Sequence, residues 1–147
     1  MVLHGAAIVA AGGVSRTPLA INAGRIASAC DPDAWRLDLR DHLIFPGLIN
    51  AHDHLHVNAV PPLPADAPFA NSYEWIAAFR AHFDSAEVKT ALRVPKAVRL
   101  RHGAMKNLLA GTTFVAHHDP WHPVLNDPDF PVALLRDFGW SYTLAGP

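Results

Sequence analysis

Two histidines separated by a single residue, His52 and His54, follow the short apolar run at residues 48–51. On a β-strand, side chains at positions i and i+2 point to the same face, so both imidazoles can reach one point. Neutral imidazole nitrogens are common ligands of divalent transition metals. The pattern predicts two metal ligands at a strand end. The alternative is a pair of ordinary histidines, since a chain with 10 histidines produces this spacing by chance.

Four other residues are candidates for a role at the same site. Asp53 falls on the opposite face of the strand and is expected to be a structural acceptor rather than a ligand. His56, His117 and His118 are interpreted as substrate-binding residues, because they follow predicted strands where such sites are built. Direct metal binding by His117 or His118, and an ordinary loop or packing role, remain alternatives.

The elements that must position these residues begin with a small antiparallel β-sheet over residues 1–46, in short β-prone runs broken by turn residues. A tight hairpin is expected at Asn22, Ala23 and Gly24, with a positive φ at Gly24. Residues 48–51 then resemble a buried parallel strand that opens onto a functional face. Four prolines within residues 55–70 indicate a long loop.

Helices are expected to follow that loop. Asn71 and Glu74 form a capping pattern before an amphipathic helix, and a second helical stretch, interrupted at Pro95, ends at Gly111. The elements expected thereafter are a strand at 112–116, a Pro-rich loop at 119–131, a short helix at 132–137 and a strand at 141–145. Arg99 and Arg101 are assigned to a solvated helix face.

Residues 46–54 resemble the amidohydrolase superfamily of metal-dependent hydrolases, whose signature is Pro-Gly-[Leu/Phe/Ile]-[Ile/Val]-[Asp/Asn]-x-His-x-His. Residues 108–115 are similar to the helix-to-second-strand junction of that family, and residues 22–26 to its Gly-Arg-Ile hairpin. The resemblance implies an α/β fold: a small β-sandwich portion at 1–46, then the first strands and helices of an incomplete (β/α)8 barrel at 47–147.

The chemistry implied by this resemblance is hydrolysis of C–N bonds, by deamination or by cleavage of amides and cyclic amides. His52 and His54 would hold a divalent metal, zinc first, with iron or another divalent ion as alternatives, and the metal would activate water. The catalytic acid–base residue stays unassigned. Because a whole barrel takes about 250 residues, we expect a fragment that is inactive by itself. The alternative is a non-catalytic fragment acting as a binding or interaction module.

Composition restricts the partners and the location. Twelve basic against 13 acidic residues give a net charge of −1, without the positive excess that nucleic-acid binding needs. A lone cysteine, Cys30, fits a reducing compartment, and neither a membrane segment nor an export signal is expected, so the cytoplasm is the predicted location. A small-molecule substrate is the expected partner. Self-association is expected as well, because an open sheet edge and apolar helix faces would lack partners.

Overall fold

Two structural units divide the chain. The computed structural model describes residues 1–138 and separates Met1–Pro46 from Gly47–Pro147. The strand expected at 141–145 lies outside the described residues.

The first unit is built from short strands: β1 (Val2–His4), β2 (Ala7–Ala10), β3 (Gly13–Ser15), β4 (Leu19–Asn22), β5 (Arg25–Ala27), β6 (Arg36–Asp38) and β7 (Leu43–Ile44). They form two sheets rather than one, in the orders β5-β4-β1-β6 and β3-β2-β7. The prediction of an antiparallel sheet is wrong for two of the pairings, because β1 pairs with β6, and β2 with β7, in parallel.

The hairpin between β4 and β5 is confirmed. Its two central residues, Ala23 and Gly24, have φ angles of 48° and 73°. Positive φ at both positions is the geometry of a type I′ turn, whose twist matches that of the flanking strands.

The second unit carries the histidines. Its elements in chain order are β8 (Leu48–Asp53), a 3-10 helix (Leu55–Ala59), α1 (Ser72–His82), α2 (Ala86–Leu92), α3 (Lys96–Leu109), β9 (Thr112–His117), a second 3-10 helix (Pro123–Asn126) and β10 (Ala133–Leu134). The strands form one parallel sheet in the order β10-β9-β8. The carboxyl ends of β8 and β9 therefore lie side by side.

The expected partial (β/α)8 barrel is wrong. Residues 1–138 form a mixed small α/β structure with three short α-helices and several small sheets. Regular strand–helix alternation stops after β9, because a Pro-rich segment with only a 3-10 turn connects β9 to β10. The helix predicted at 132–137 is absent, and the two-residue strand β10 lies there instead. Barrel closure needs a repeated βα unit, and this segment does not supply one.

Helix starts and stops follow local sequence signals. The Asn71 side chain accepts from the Glu74 backbone N–H at 3.0 Å, which confirms the predicted cap of α1. Ser85 caps α2 by accepting from Val88 N–H at 3.2 Å. Pro95 precedes α3, as expected of a residue that cannot continue a helix but can begin one. Gly111, with a φ of 84°, allows the chain to turn from α3 into β9.

The core of the second unit lies between α3, the sheet and the first 3-10 helix. Its buried members are Leu55, Leu100, Ala104, Val115, Leu125 and Val132. Gly103 of α3 lies against the backbone of Leu55, where an added Cβ would come within 2.1 Å of the Leu55 carbonyl oxygen. This close approach fixes the segment on which His54 and His56 lie. None of the helices within residues 1–138 is long and apolar enough to cross a membrane.

Candidate metal centre

His52 and His54 converge at the carboxyl end of β8. His52 is the penultimate residue of the strand and His54 follows its last residue, with an irregularity in the β8–β9 register between Asn50 and Asp53. The two Nε2 atoms lie 3.2 Å apart. The expected orientation of both imidazoles to one side is therefore observed, while their role as metal ligands stays a prediction.

His118 completes a group of three imidazoles. It follows β9, and its backbone N–H donates to the Asp53 carbonyl at 2.8 Å, which extends the pairing of the two strands beyond the sheet. Its ring centroid lies 4.7 Å from that of His52 and 5.3 Å from that of His54. One ring nitrogen from each of the three residues lies within 4.8 Å of the others. We call His52, His54 and His118 the tri-histidine cluster.

The donor chemistry of this cluster fits zinc. Zinc–nitrogen bonds of about 2.0–2.1 Å in a tetrahedral site place neighbouring ligand atoms about 3.3 Å apart. The two Nε2 atoms of His52 and His54 already lie at 3.2 Å. Three neutral imidazoles with a free fourth position are a known ligand set of catalytic zinc.

Asp119 orients His54 within the tri-histidine cluster. The Nδ1 of His54 lies 2.9 Å from Asp119 Oδ2, a hydrogen bond in which Nδ1 donates to the carboxylate. This arrangement keeps a proton on Nδ1 and leaves the lone pair on Nε2, the atom that faces His52. Burial alone would raise the pKa of Asp119, but the adjacent His56 and His54 imidazoles outweigh it and lower the pKa to about 2. Asp119 is therefore ionised across the physiological pH range.

A second group lies on the other side of the same carboxylate. The Nδ1 atoms of His56 and His117 lie 3.3 Å and 4.0 Å from Asp119 Oδ2. We call His56, His117 and Asp119 the carboxylate cluster; one donor atom from each lies within 4.8 Å of the others. His117 is only 2% exposed, so it lies in the interior rather than on an open pocket wall.

Two histidines have pKa values below the ordinary value. Burial lowers the pKa of His117, against the opposing effect of the Asp119 carboxylate. Desolvation lowers the pKa of His118, followed by the charges of His52 and His54, again against Asp119. Both shifts favour the neutral imidazole, which is the form that binds a metal.

Asp53 is a structural acceptor, which agrees with its expected position away from the two histidines. Its Oδ2 accepts from Asn107 Nδ2 at 2.7 Å and from Asn50 Nδ2 at 3.0 Å, and its Oδ1 accepts from Asn58 Nδ2 at 2.8 Å. Asn50 also donates to Asn107 Oδ1 at 2.9 Å, and its own Oδ1 accepts from the His52 N–H at 3.2 Å. This network joins β8 to α3 and holds the irregular strand end that presents His52.

Sequence reasoning missed Asn107, Asn58 and the central role of Asp119. Asn107 had a detectable signal, since an amide on an otherwise apolar helix face needs a buried partner. Asp119 lies 65 positions from His54, and no local pattern connects them.

The solvated position expected for Arg99 is wrong. Arg99 is 8% exposed, and its guanidinium donates to the carbonyl oxygens of Val94 and His56, each at 3.0 Å. It thus ties the 3-10 helix to the start of α3. Arg101 pairs with Asp127 and is partly exposed.

A surface cavity of about 450 Å³ is lined by Leu125, Phe130, Leu134, Arg136 and their neighbours. None of its lining residues belongs to either histidine cluster. Within the tri-histidine cluster, His52 is exposed, and His54 and His118 are half-buried.

Comparison of the chain with protein-family models, curated proteins and solved structures gives no match. The resemblance to amidohydrolases therefore depends on the signature residues 46–54 and the two shorter segments alone.

Proposed function

We propose that this protein binds a divalent metal ion, zinc in first place, at His52, His54 and His118, and hydrolyses C–N bonds of a small-molecule substrate. The observation that carries the proposal is the convergence of three imidazoles from the adjacent ends of two parallel strands. Iron or another divalent ion is compatible with the same ligands.

Each residue of the proposed centre has a defined task. Asp119 holds His54 with its Nε2 lone pair toward His52. The Asp53–Asn107 network holds the strand end, and desolvation lowers the pKa of His118, which favours the neutral ring. A bound zinc ion would supply Lewis-acid activation of water near neutral pH.

The substrate class comes from the signature resemblance. Asn50 within that signature favours the branch of amidohydrolases that removes amino groups or chloride from heterocycles, with cleavage of amides and cyclic amides as the broader class. His52 is the exposed member of the cluster, and we propose that the substrate approaches from its side. Cys30, free in the structure, is consistent with the reducing cytoplasm, where we propose that the protein acts.

The first test is metal binding. Calorimetric titration of the metal-free chain with zinc should show a zinc-binding site that is lost in His52→Ala and in His118→Ala. His102→Ala is the matched control, because His102 is exposed and belongs to neither cluster. Equal zinc affinity in His52→Ala and the unmodified chain would contradict the proposed ligands.

The second test is turnover. The zinc-loaded chain is assayed for ammonia release from aminated heterocycles and for ring opening of cyclic amides. We expect activity that disappears in His52→Ala and is retained in His102→Ala. The expectation of an inactive chain depended on a partial barrel with missing metal ligands and a missing acid–base residue. His118 supplies a third candidate ligand, and the acid–base residue stays unassigned. Full zinc occupancy without turnover on this panel would refute the hydrolase and leave a metal-binding module.

A further inference from the structure

Two members of the carboxylate cluster, His56 and His117, have no task in the proposed hydrolytic centre, and the cluster has features of a second site. Its three residues come from separate positions in the fold: His56 from the 3-10 helix, His117 from the end of β9 and Asp119 from the loop after β9. The side chain of His117 is fully buried, and those of His56 and Asp119 are 20% and 18% exposed. Polar groups placed so deeply usually have strong partners.

The bonding within this cluster is incomplete. The Nδ1 of His56 is shielded from solvent and makes no hydrogen bond within the described residues, although Asp119 Oδ2 is 3.3 Å away. The Nε2 of His117 is also shielded and makes no hydrogen bond within residues 1–138. The Nδ1 of His117 accepts from the Leu55 backbone N–H at 3.3 Å, a long bond that a stronger interaction could displace.

The spacing of the donor atoms suits a small cation. Ligand atoms about 3.3 Å apart are expected around tetrahedral zinc, and the His56 Nδ1 to Asp119 Oδ2 distance is 3.3 Å. The His117 Nδ1 to Asp119 Oδ2 distance of 4.0 Å would need to shorten by about 0.7 Å to reach this spacing. Two imidazoles with one carboxylate are a common set for zinc and related metals.

We propose that His56, His117 and Asp119 form a second binding site for a divalent transition metal, next to the tri-histidine cluster and joined to it through Asp119. Asp119 Oδ2 would bind the second metal while it keeps the hydrogen bond from His54 Nδ1. Loss of Asp119 therefore affects both sites, whereas loss of His56 affects the second site alone. This site depends on its own residues and does not require the chain to be a hydrolase.

Stoichiometry tests the proposal, with cobalt(II) alone as the metal because its visible absorption reports the ligand set. Native mass spectrometry and equilibrium dialysis should find two cobalt ions on the unmodified chain and on His102→Ala. His56→Ala should bind one ion tightly, with the affinity for the second ion lowered by about 10-fold or more. His52→Ala should also bind one ion, with a different absorption spectrum. The double variant His52→Ala/His56→Ala should bind no cobalt ion tightly.

His117→Ala is avoided as the main variant, since a fully buried ring also supports the fold. His56→Asn gives a second, milder test, and Asp119→Asn should weaken both binding steps. One cobalt ion on the unmodified chain, lost in His52→Ala and kept in His56→Ala, would overturn the second site and leave the first intact. Two ions on His56→Ala would overturn it as well.

Discussion

Replacement of Gly103 by alanine tests how the site-bearing segment is held in place. Gly103 is buried in α3, and a Cβ at this position would lie 2.1 Å from the carbonyl oxygen of Leu55 and 2.8 Å from its carbonyl carbon. Both atoms belong to the backbone, so no side-chain rotation relieves the overlap. The 3-10 helix and α3 would have to separate by about 1 Å.

Two effects of opposite sign decide the outcome. Alanine favours a helix over glycine by about 1 kcal/mol, which would stabilise α3. Against this, a gap of about 1 Å removes up to half of the dispersion energy of the contacts across it, and the side chains concerned, Leu55, Leu100 and Ala104, are fully buried. Overpacking of this kind costs about 1–3 kcal/mol, and more against rigid backbone. We expect a net loss of about 2 kcal/mol in the free energy of unfolding.

Urea unfolding followed by circular dichroism at 222 nm measures this loss, because the α-helices of the described chain all lie in the second unit. His102→Ala, at the adjacent exposed position of the same helix, should change the free energy of unfolding by less than about 0.5 kcal/mol. Since Leu55 lies between His54 and His56, Gly103→Ala should also weaken metal binding. A Gly103→Ala protein as stable as the parent would refute the close approach of α3 to the 3-10 helix.

Three further predictions concern the same unit. Asn107→Ala should lower the free energy of unfolding by about 2–3 kcal/mol, because it removes the 2.7 Å donor from the Asp53 carboxylate; a urea midpoint equal to that of the parent would contradict this. In the metal-free protein, NMR titration of the Asp119 carboxyl should give a pKa near 2. Because this pKa is below the value of about 3.8 for an unperturbed aspartate, the contribution of Asp119 to stability is present above pH 4 and is lost as the pH falls toward 2. A titration midpoint near pH 4 would show that the histidines do not lower the pKa of Asp119. Trp75 and Phe79 stack with ring centroids 4.7 Å apart, and Trp75 is 43% exposed. This apolar surface should promote self-association, which sedimentation velocity detects and Trp75→Gln reduces. Sedimentation of the parent that does not depend on concentration would rule out this self-association.

Local features were predictable from the sequence because each depends on neighbouring residues. The Asn22–Gly24 hairpin follows from residues that tolerate positive φ, and the start of α1 follows from the Asn71 cap. The break at Pro95 follows from a missing backbone donor. The shared direction of His52 and His54 follows from the two-residue period of a strand, even though the strand end is irregular.

The larger architecture was not predictable in this way. The barrel was inferred from signature residues, and a signature of nine positions specifies one strand and its end rather than the number of strands that follow. The segment after β9 lacks the helix that would have continued the alternation. In the first unit, the parallel pairings of β1 with β6 and β2 with β7 join strands far apart along the chain, which short-range patterns do not encode.

By itself, the sequence determined the pair His52 and His54, the strand that presents them and the helices that follow, since all of these depend on spacing along the chain. Only the tertiary structure brought His118 beside that pair and Asp119 onto the Nδ1 of His54, because these contacts join residues more than 60 positions apart. The physical reason is the parallel pairing of β8 with β9, which sets the carboxyl ends of two strands side by side. Burial of Leu55 under Gly103 of α3 then fixes the short segment from which His54 and His56 reach the same carboxylate.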